Sequence, residues 1–266
     1  MKKVLTLVLA LTMALGLVAC GGSDKGGKDE QDAGYVTVEK GKLILSTSAD
    51  FPPYEMIADD GSFEGIDVDV AAAIADKLGL ELVVDDMDFD SALLAVQNGK
   101  SDLAMAGITV TDERLQVMDF SNSYANGIQV VIVKEDSPIQ TIDDLANAQM
   151  IGCQKGTTGY IYCSAPVEEA GYGEDHVTAY DSGATAVQAL VNGQIDAVVI
   201  DNEPAKSFVA SNPGLKILDT EFSNEEYAIG VAKGNTALLE AINGAMEELK
   251  AEGVFQKIVD KYITAE

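Results

Sequence analysis

A helix–turn–strand pattern that occurs twice is the feature that most constrains how this chain can fold. The first copy covers residues 91–107 and the second covers residues 185–201. In each copy an apolar helical stretch ends at Asn-Gly, two residues follow, and an aspartate opens an apolar strand. A glycine directly after a helix takes the left-handed conformation that ends the helix. The duplication predicts an α/β protein of two similar lobes.

The two copies also predict where a ligand would bind. Gly107 and Asp201 each stand eight residues after the glycine of their copy. Ligands of open α/β sheets bind beyond the carboxyl ends of the strands. Gly107 and Asp201 therefore occupy equivalent positions at the mouths of the two lobes. For Asp102 and Asp196, the aspartates that open the strands, a local cap or turn hydrogen bond is the expected role.

Arg114 is the one arginine in a chain of 266 residues. Its planar, permanently charged guanidinium can hold a carboxylate through two parallel hydrogen bonds, which a lysine ammonium cannot do. Thr111 is placed to cap a short helix with Arg114 at its third position, so that backbone N–H groups and the guanidinium would surround one small anion. The alternative is a surface ion pair with Asp112 or Glu113.

A second anion contact is predicted where residues 156–159, Gly-Thr-Thr-Gly, open a helix. The N–H groups at such a helix start, here around Thr157 and Thr158, favour negative charge. One mouth thus offers a carboxylate receptor, and the other offers the carboxylate of Asp201. If the two mouths face each other across a cleft, they would hold a small zwitterion, which is the chemistry of an amino acid.

The start of the chain is predicted to lie outside the folded body. Lysines precede an apolar stretch over residues 4–18, which is too short for a membrane span and typical of a signal peptide. Cys20 follows a small residue, the pattern of a bacterial lipoprotein whose cysteine is lipidated. Residues 1–19 are therefore interpreted as the signal peptide and residues 20–41 as the lipidated cysteine and a flexible tether. The body would be extracytoplasmic, anchored to the cell membrane by the lipid on Cys20.

The formal charge of −27 argues against nucleic acid as a partner, because a polyanion repels phosphate groups. The charge suits a soluble exported protein and, to a smaller extent, favours cationic ligands. Cys153 and Cys163 are consistent with a disulfide outside the cell or with two packed thiols. Neither has metal-ligand spacing around it, and the single histidine, His176, lies in a polar loop typical of the surface.

The remaining segments divide between the two lobes. The β-rich runs at residues 128–133 and 227–231 are predicted to cross between the lobes and form the hinge. Residues 42–129 and 230–266 would form lobe 1, and residues 130–229 would form lobe 2. Apolar periodicity and helix-ending glycines predict strands at 43–47, 82–84 and 150–153, and helices at 68–80, 142–146, 237–250 and 254–262.

Several segments, in order along the chain, resemble one protein family. They are residues 65–70, Gly-Ile-Asp-Val-Asp-Val, residues 87–90, Met-Asp-Phe-Asp, the run 102–114, and residues 199–203, Val-Ile-Asp-Asn-Glu. Over residues 42–262 the chain resembles the extracytoplasmic amino-acid-binding proteins of bacterial ABC importers, the polar-amino-acid branch of the solute-binding proteins. The resemblance implies a two-lobed periplasmic-binding-protein-like fold of type II. It also implies a monomer without cofactor or metal that delivers a polar or basic L-amino acid to permease subunits in the membrane.

The resemblance further implies a role for individual residues. Arg114 would hold the ligand α-carboxylate with help from Thr109 and Thr158, and Asp201 would accept the α-ammonium together with the Gly107 carbonyl. The site residues that we expect on this basis are Ser48, Phe51, Asp67, Phe89, Ala106, Gly107, Thr109, Arg114, Gln154, Thr157, Thr158 and Asp201.

Recognition of the ligand side chain is expected from five of these positions. Phe51 and Phe89 would flank the side chain. Ser48 stands where the family often has an aspartate that meets cationic or amide side chains, so this chain departs from the family pattern there. Asp67 and Gln154 remain as polar groups that could face the side chain.

Two other functions stay open at this level. A sensory lipoprotein could use the same amino-acid-binding cleft. A lyase or dehydratase could use the same scaffold, because fold does not determine function. The sequence has no Ser-His-Asp set and no metal cluster, and a base at Asp50 or Glu55 is the one feature that would support an enzyme.

Overall fold

The computed structural model describes residues 34–263. They form an α/β fold with two sheets of mixed parallel and antiparallel strands and one small antiparallel sheet. The strands in chain order are β1 Lys42–Thr47, β2 Asp50–Phe51, β3 Glu55–Ile57, β4 Phe63–Glu64, β5 Glu81–Asp86, β6 Leu103–Ala104, β7 Met118–Phe120, β8 Ala125–Lys134, β9 Ile151–Gln154, β10 Val177–Tyr180, β11 Ala197–Asp201, β12 Leu215–Ile217, β13 Ser223–Tyr227 and β14 Gly230–Ala232.

The helices stand between these strands. They are α1 Ile66–Leu78, α2 Phe89–Gln97, α3 Asp112–Val117, α4 Thr158–Ser164, α5 Gly183–Val191, α6 Asn202–Ser211, α7 Thr236–Ala251 and α8 Val254–Tyr262, with short 3₁₀ turns at Ile142–Asn147, Val167–Glu169 and Glu174–His176. Within the described residues, no helix is both long and apolar enough to cross a membrane.

The first sheet has the strand order β5-β1-β6-β14-β7, with β1 parallel to both β5 and β6. Strand β1 is buried over almost its whole length because helices cover both faces of the sheet, as parallel sheets require. On one face Leu43 and Leu45 share a core with Ile74 of α1 and Leu238 of α7. On the other face Leu93 and further apolar residues of α2 pack in a separate cluster. This sheet and its helices form the first lobe.

The second sheet has the order β10-β9-β11-β8-β12, and β13 pairs with the first half of β8. Helix α4 packs on one side of this sheet and helix α5 on the other. This sheet with α4, α5 and α6 forms the second lobe. The predicted alternation of helices and strands in two lobes therefore appears as two sheets, each with helices on both faces.

The chain passes between the sheets at two places. It leaves the first sheet at the end of β7 and enters the second at Ala125, so the outgoing passage is residues 121–124. It returns between Tyr227 and Gly230. The outgoing passage lies a few residues before the predicted run 128–133, whose apolar side chains are instead the interior of β8. Those residues are β-rich because they cross the core of one sheet.

The helix–turn–strand copies have the predicted geometry at their glycines. Gly99 and Gly193 take left-handed conformations, with φ of 65° and 71°. The two strand-opening aspartates differ from expectation, since they bond to distant backbone N–H groups. Asp102 accepts from Val38 and Ile44, and Asp196 accepts from Gln149 and Met150. Each aspartate thus ties a neighbouring segment to its own strand.

The predicted signal peptide, Cys20 and most of the tether lie outside the described residues. The described end of the tether is packed against the first lobe. Tyr35 is buried, and its hydroxyl donates to the carbonyl of Leu78 at 3.4 Å. Of the two cysteine alternatives the structure has free, buried thiols, with Cys153 on β9 beside Cys163 on α4. His176 is exposed, as predicted.

Candidate ligand-binding cleft

A cavity lies between the two lobes and contains about 330 Å³ of empty space, part of it open to solvent. Its walls combine polar side chains from both lobes with aromatic side chains from the first lobe, which is typical of small-molecule sites. The lining residues are Ser48, Asp50, Phe51, Glu55, Phe89, Ala106, Gly107, Thr109, Arg114, Gln154, Thr157, Thr158 and Asp201. Every expected site residue except Asp67 lines this cavity.

Arg114 reaches the cavity from α3. The hydroxyl of Thr111 accepts from the Arg114 backbone N–H at 3.2 Å, so the predicted cap fixes the position of the helix. Nη1 donates to the carbonyl of Thr109 at 2.7 Å, and Nη2 donates to the carbonyl of Gly156 in the second lobe at 3.1 Å. The guanidinium also lies 5.3 Å from the ring centre of Phe89. Only 8% of Arg114 is exposed, so the alternative of a surface ion pair is wrong.

Asp201 faces the cavity from the junction of β11 and α6. Gln129 donates to Oδ2 at 2.7 Å, and the hydroxyl of Tyr227 donates to Oδ1. Burial raises the pKa of Asp201 well above its ordinary value, and the nearby carboxylate of Glu225 raises it further. A ligand ammonium would offset both effects, since a cation beside a buried carboxylate favours its charged form.

Glu225 is a buried carboxylate beside the cavity that the sequence analysis missed. It accepts from the hydroxyl of Thr109 at 2.9 Å and from Gln129 at 3.2 Å. It therefore connects a first-lobe wall to the residue that holds Asp201 in the second lobe. Burial lowers the pKa of Arg114, and the carboxylate of Glu225 opposes that shift. The available signal was the alternation in β13, which puts Glu225 on the same buried side as Tyr227.

Asp67 is not on the cavity wall, contrary to expectation. It lies in the first turn of α1, wholly buried, where it accepts from the backbone N–H of Gly107 at 3.1 Å and from the hydroxyl of Tyr124 at 2.8 Å. Asp67 therefore holds Gly107 in place from behind. The carboxyl that lines the cavity nearby is Glu55, which is also wholly buried.

Asp50 supplies a carboxyl beside Ser48, where the sequence departs from the family pattern. The hydroxyl of Ser48 donates to Asp50 Oδ1 at 3.1 Å, and both residues line the cavity. Burial raises the pKa of Asp50, while the bond from Ser48 lowers it. A negative group thus remains in this part of the wall, two residues after the expected position.

The aromatic walls come from the first lobe. Gly107 has φ of 55°, and a Cβ at this position would lie 2.9 Å from Phe51 Cε1, so a glycine is required for this close approach. Phe51 is also stacked on Tyr54 with ring centres 5.9 Å apart. Phe89 opens α2 beneath the guanidinium of Arg114. Among residues 34–263, no group of three His, Cys, Asp or Glu side chains is placed to hold a metal ion.

Comparison with known proteins identifies the family of this chain. The family described as bacterial extracellular solute-binding proteins, family 3, matches residues 43–265. The chain is 33% identical over 270 residues to a probable histidine-binding protein of Neisseria gonorrhoeae, covering 100% of this chain and 97% of that protein. It is equally identical over 270 residues to the arginine-binding extracellular protein ArtP of Bacillus subtilis, covering 100% of both.

A solved structure has the same architecture. An ancestral arginine-binding protein bound to arginine is 40% identical, with a TM-score of 0.78 over 84% of this chain and 99% of that one. The predicted two-lobed α/β fold is thereby confirmed. The chain belongs to family 3 of the bacterial extracellular solute-binding proteins.

Proposed function

We propose that this protein captures a basic L-amino acid between its lobes and delivers it to the permease of an ABC transporter. The observation that carries the proposal is the placement of Arg114 and Asp201 on opposite walls of one cavity. A guanidinium suits the α-carboxylate of an amino acid, and a buried carboxylate suits the α-ammonium. Relatives that bear the names of histidine- and arginine-binding proteins support the same ligand class.

The preference for a basic side chain follows from the balance of charge in the walls. Besides Asp201, the cavity is lined by the carboxyl groups of Asp50 and Glu55, whereas Arg114 is the one cationic residue among the described residues that line it. Once the zwitterion has matched Arg114 and Asp201, two acidic groups remain for the side chain. A basic end would complement them, whereas an aliphatic end would leave buried polar groups unpaired, which is costly. Among polar amino acids we therefore expect arginine and lysine to bind most tightly.

Thermal-shift screening against the twenty amino acids tests this proposal. A ligand that binds only the native state raises the melting temperature. We expect arginine or lysine to give the largest shifts, with smaller shifts for glutamine and none for leucine or valine. If leucine or valine gave the largest shift, the proposed preference for a basic side chain would be wrong. If no amino acid shifted the transition, the proposal of amino-acid capture would fail.

We also propose that the protein acts as a monomer anchored outside the cell membrane by a lipid on Cys20. The support is the charged start, the apolar stretch over residues 4–18 and the small residue before Cys20. Replacing Cys20→Ser should remove labelling by a fatty-acid analogue and release the protein from the membrane fraction, or leave its precursor uncleaved. Ligand binding should be retained. Equal labelling of the variant and the wild type would contradict the anchor.

A further inference from the structure

Glu55 on the cavity wall and Asp67 behind the wall are two buried carboxyl groups with too few hydrogen-bond donors around them. Both side-chain oxygens of Glu55 and Oδ1 of Asp67 are buried, and no N–H or O–H group of the described residues reaches them. The two carboxyl groups lie within hydrogen-bonding reach of each other. Two desolvated carboxylates at that range repel strongly, so one proton between them is the stable arrangement.

The surroundings decide which of the two carries the proton. Asp67 accepts from Gly107 and Tyr124 through Oδ2, and these bonds favour its charged form. Glu55 has no such donor. Burial raises the pKa of Glu55 well above its ordinary value and raises that of Asp67 to about 6. Of the two, Glu55 is therefore the group that holds the shared proton and donates it to Asp67.

The other groups that face the pair add no positive charge. Asp50 and Asp201 approach Glu55 from β2 and β11, and both raise its pKa. Tyr54 and Tyr124 are neutral phenols whose own pKa values burial raises. Glu55 nevertheless forms part of the cavity wall. A buried, unpaired carboxyl on the wall of a ligand cavity is suited to a cationic ligand group.

We propose that Glu55 and Asp67 form a proton-sharing pair that receives the cationic end of a basic side chain, and that the ligand expels the shared proton to solvent. This rests on the proposed function. The O–H bond of Glu55 breaks, the proton passes to water or buffer, and the guanidinium or ammonium of the ligand takes its place. The pair carries one negative charge before binding, and the pair with its bound cation carries one afterwards.

The pair would make the affinity for basic amino acids dependent on pH. The cation competes with one proton, so the affinity for a basic ligand should rise by up to about tenfold per pH unit relative to a neutral ligand of the same shape, while the pair remains protonated. Protons released where the α-ammonium meets Asp201 are common to both ligands. They cancel when a basic ligand is compared with a neutral one.

Calorimetric titration with L-arginine and L-citrulline tests the proposal. Citrulline has the same main chain and length, but its side chain ends in a neutral urea group. Titration at one pH near neutrality, in buffers of different ionisation enthalpy, counts the protons released. We expect arginine to release about one proton more than citrulline in the wild-type protein. Glu55→Gln should remove this difference and weaken arginine, whereas Glu240→Gln, an exposed control on α7, should change neither.

The possible results distinguish a failure of the proton-sharing pair from a failure of the proposed amino-acid capture. Equal proton release for arginine and citrulline in the wild-type protein would overturn the proton-sharing pair, even if Glu55→Gln failed to fold. If arginine did not bind while another amino acid did, the pair as a basic subsite would be wrong and amino-acid capture would stand. Absence of binding by every amino acid would contradict the proposed function itself.

Discussion

Arg114 has donors to spare for a ligand. A guanidinium carries five N–H donors, and within residues 34–263 this one donates two hydrogen bonds, to the carbonyls of Thr109 and Gly156. Neither acceptor is a carboxylate, so the positive charge is not neutralised by direct contact. A desolvated, oriented guanidinium with free donors is ready to bind an anion, because little rearrangement is needed.

Removing this guanidinium should abolish tight binding while the fold persists. Truncating one partner of a desolvated charge pair costs roughly 2–5 kcal/mol, so Arg114→Ala should weaken ligand binding by about 30-fold to several thousand-fold. Arg114→Lys should also bind poorly, since an ammonium cannot form the two parallel bonds. Calorimetry measures the affinity, and thermal unfolding without ligand controls for the fold. Wild-type affinity in Arg114→Ala would refute the role of this residue.

Asp67 should make the stability of the ligand-free protein depend on pH. Its pKa is about 6 when folded, above the ordinary value of 3.8, so the folded state binds more protons than the unfolded state between these values. Stability therefore falls as pH rises through this window. Asp67→Asn should gain about 1–3 kcal/mol relative to wild type between about pH 4 and pH 7, measured by urea unfolding. A constant difference between the two proteins across this range would be evidence against the shift.

Sequence reasoning found the residues of the site that carry a distinctive local pattern. The lone Arg114 and the duplicated position of Asp201 were recognisable because each stands at a fixed offset from a helix or strand end. Asp50 and Glu55 entered the sequence analysis only as a candidate base and not as ligand-binding residues, and Glu225 was missed although the alternation in β13 pointed to it. Their burial depends on how distant segments pack.

The loop between β9 and α4 carries the second-lobe part of the cleft. It includes Gln154, Thr157 and Thr158, and its bend is at Gly156, where φ is 75°. A Cβ at Gly156 would overlap Oδ1 of Asp90, which belongs to the first lobe. The loop thus approaches the opposite wall so closely that a side chain at Gly156 would have to displace the carboxylate of Asp90.

Comparing Gly156→Ala with a control variant should separate two effects of the substitution: the contact with the opposite wall and the strain in the backbone. The left-handed conformation costs an alanine about 1–2 kcal/mol, so the variant should lose stability. Gly173→Ala is the matched control, because Gly173 has φ of 88° and nothing within 4 Å of its Cβ position. Urea unfolding should show similar losses for both variants. Calorimetry should show weaker ligand binding for Gly156→Ala alone, and equal affinities would mean that this contact is irrelevant to binding.

Elements with clear ends were predicted well from the sequence. The helix predicted at 254–262 has those bounds, and the helix predicted at 68–80 begins two residues earlier and ends before Gly79. The prediction placed the outgoing passage between the lobes several residues too late along the chain. It relied on an apolar β-rich run, which marks the inside of a sheet and not the junction between two sheets. Residues 121–124 carry no periodic signal of their own. Only strand pairing identifies them as the connection.

At the scale of the whole molecule, direct contacts already join the walls of the cleft, among them Arg114 Nη2 with the carbonyl of Gly156 and the hydroxyl of Thr109 with Glu225. Lys155 and Asp90 form an ion pair at 3.1 Å across the cleft, with 62% and 29% of their side chains exposed. Exposed pairs of this kind contribute about 0–1 kcal/mol. In the proposed binding mode the ends of a zwitterion need Arg114 from one lobe and Asp201 from the other, so a ligand would bind the closed arrangement more tightly than an open one. That differential affinity would shift the population toward closure.

X-ray scattering should therefore show a smaller radius of gyration at saturating ligand than without ligand. We propose that the hinge lies at residues 121–124 and 227–230, where the chain passes between the sheets. Asp201→Asn should reduce the change, because it removes the charge that draws the second lobe to the ammonium. A profile that ligand leaves unchanged would mean that the cleft is already closed or that one lobe holds the whole ligand.

Recognition of both ends of the zwitterion is the central claim, and calorimetry with truncated ligands tests it most directly. L-Arginine can be compared with agmatine, which lacks the α-carboxylate, and with δ-guanidinovalerate, which lacks the α-ammonium. We predict that each analogue binds at least about 30-fold more weakly than L-arginine, because each leaves a buried charge of the cleft unpaired. Binding of either analogue with the affinity of L-arginine would contradict the claim that Arg114 and Asp201 grip the two ends of an amino acid.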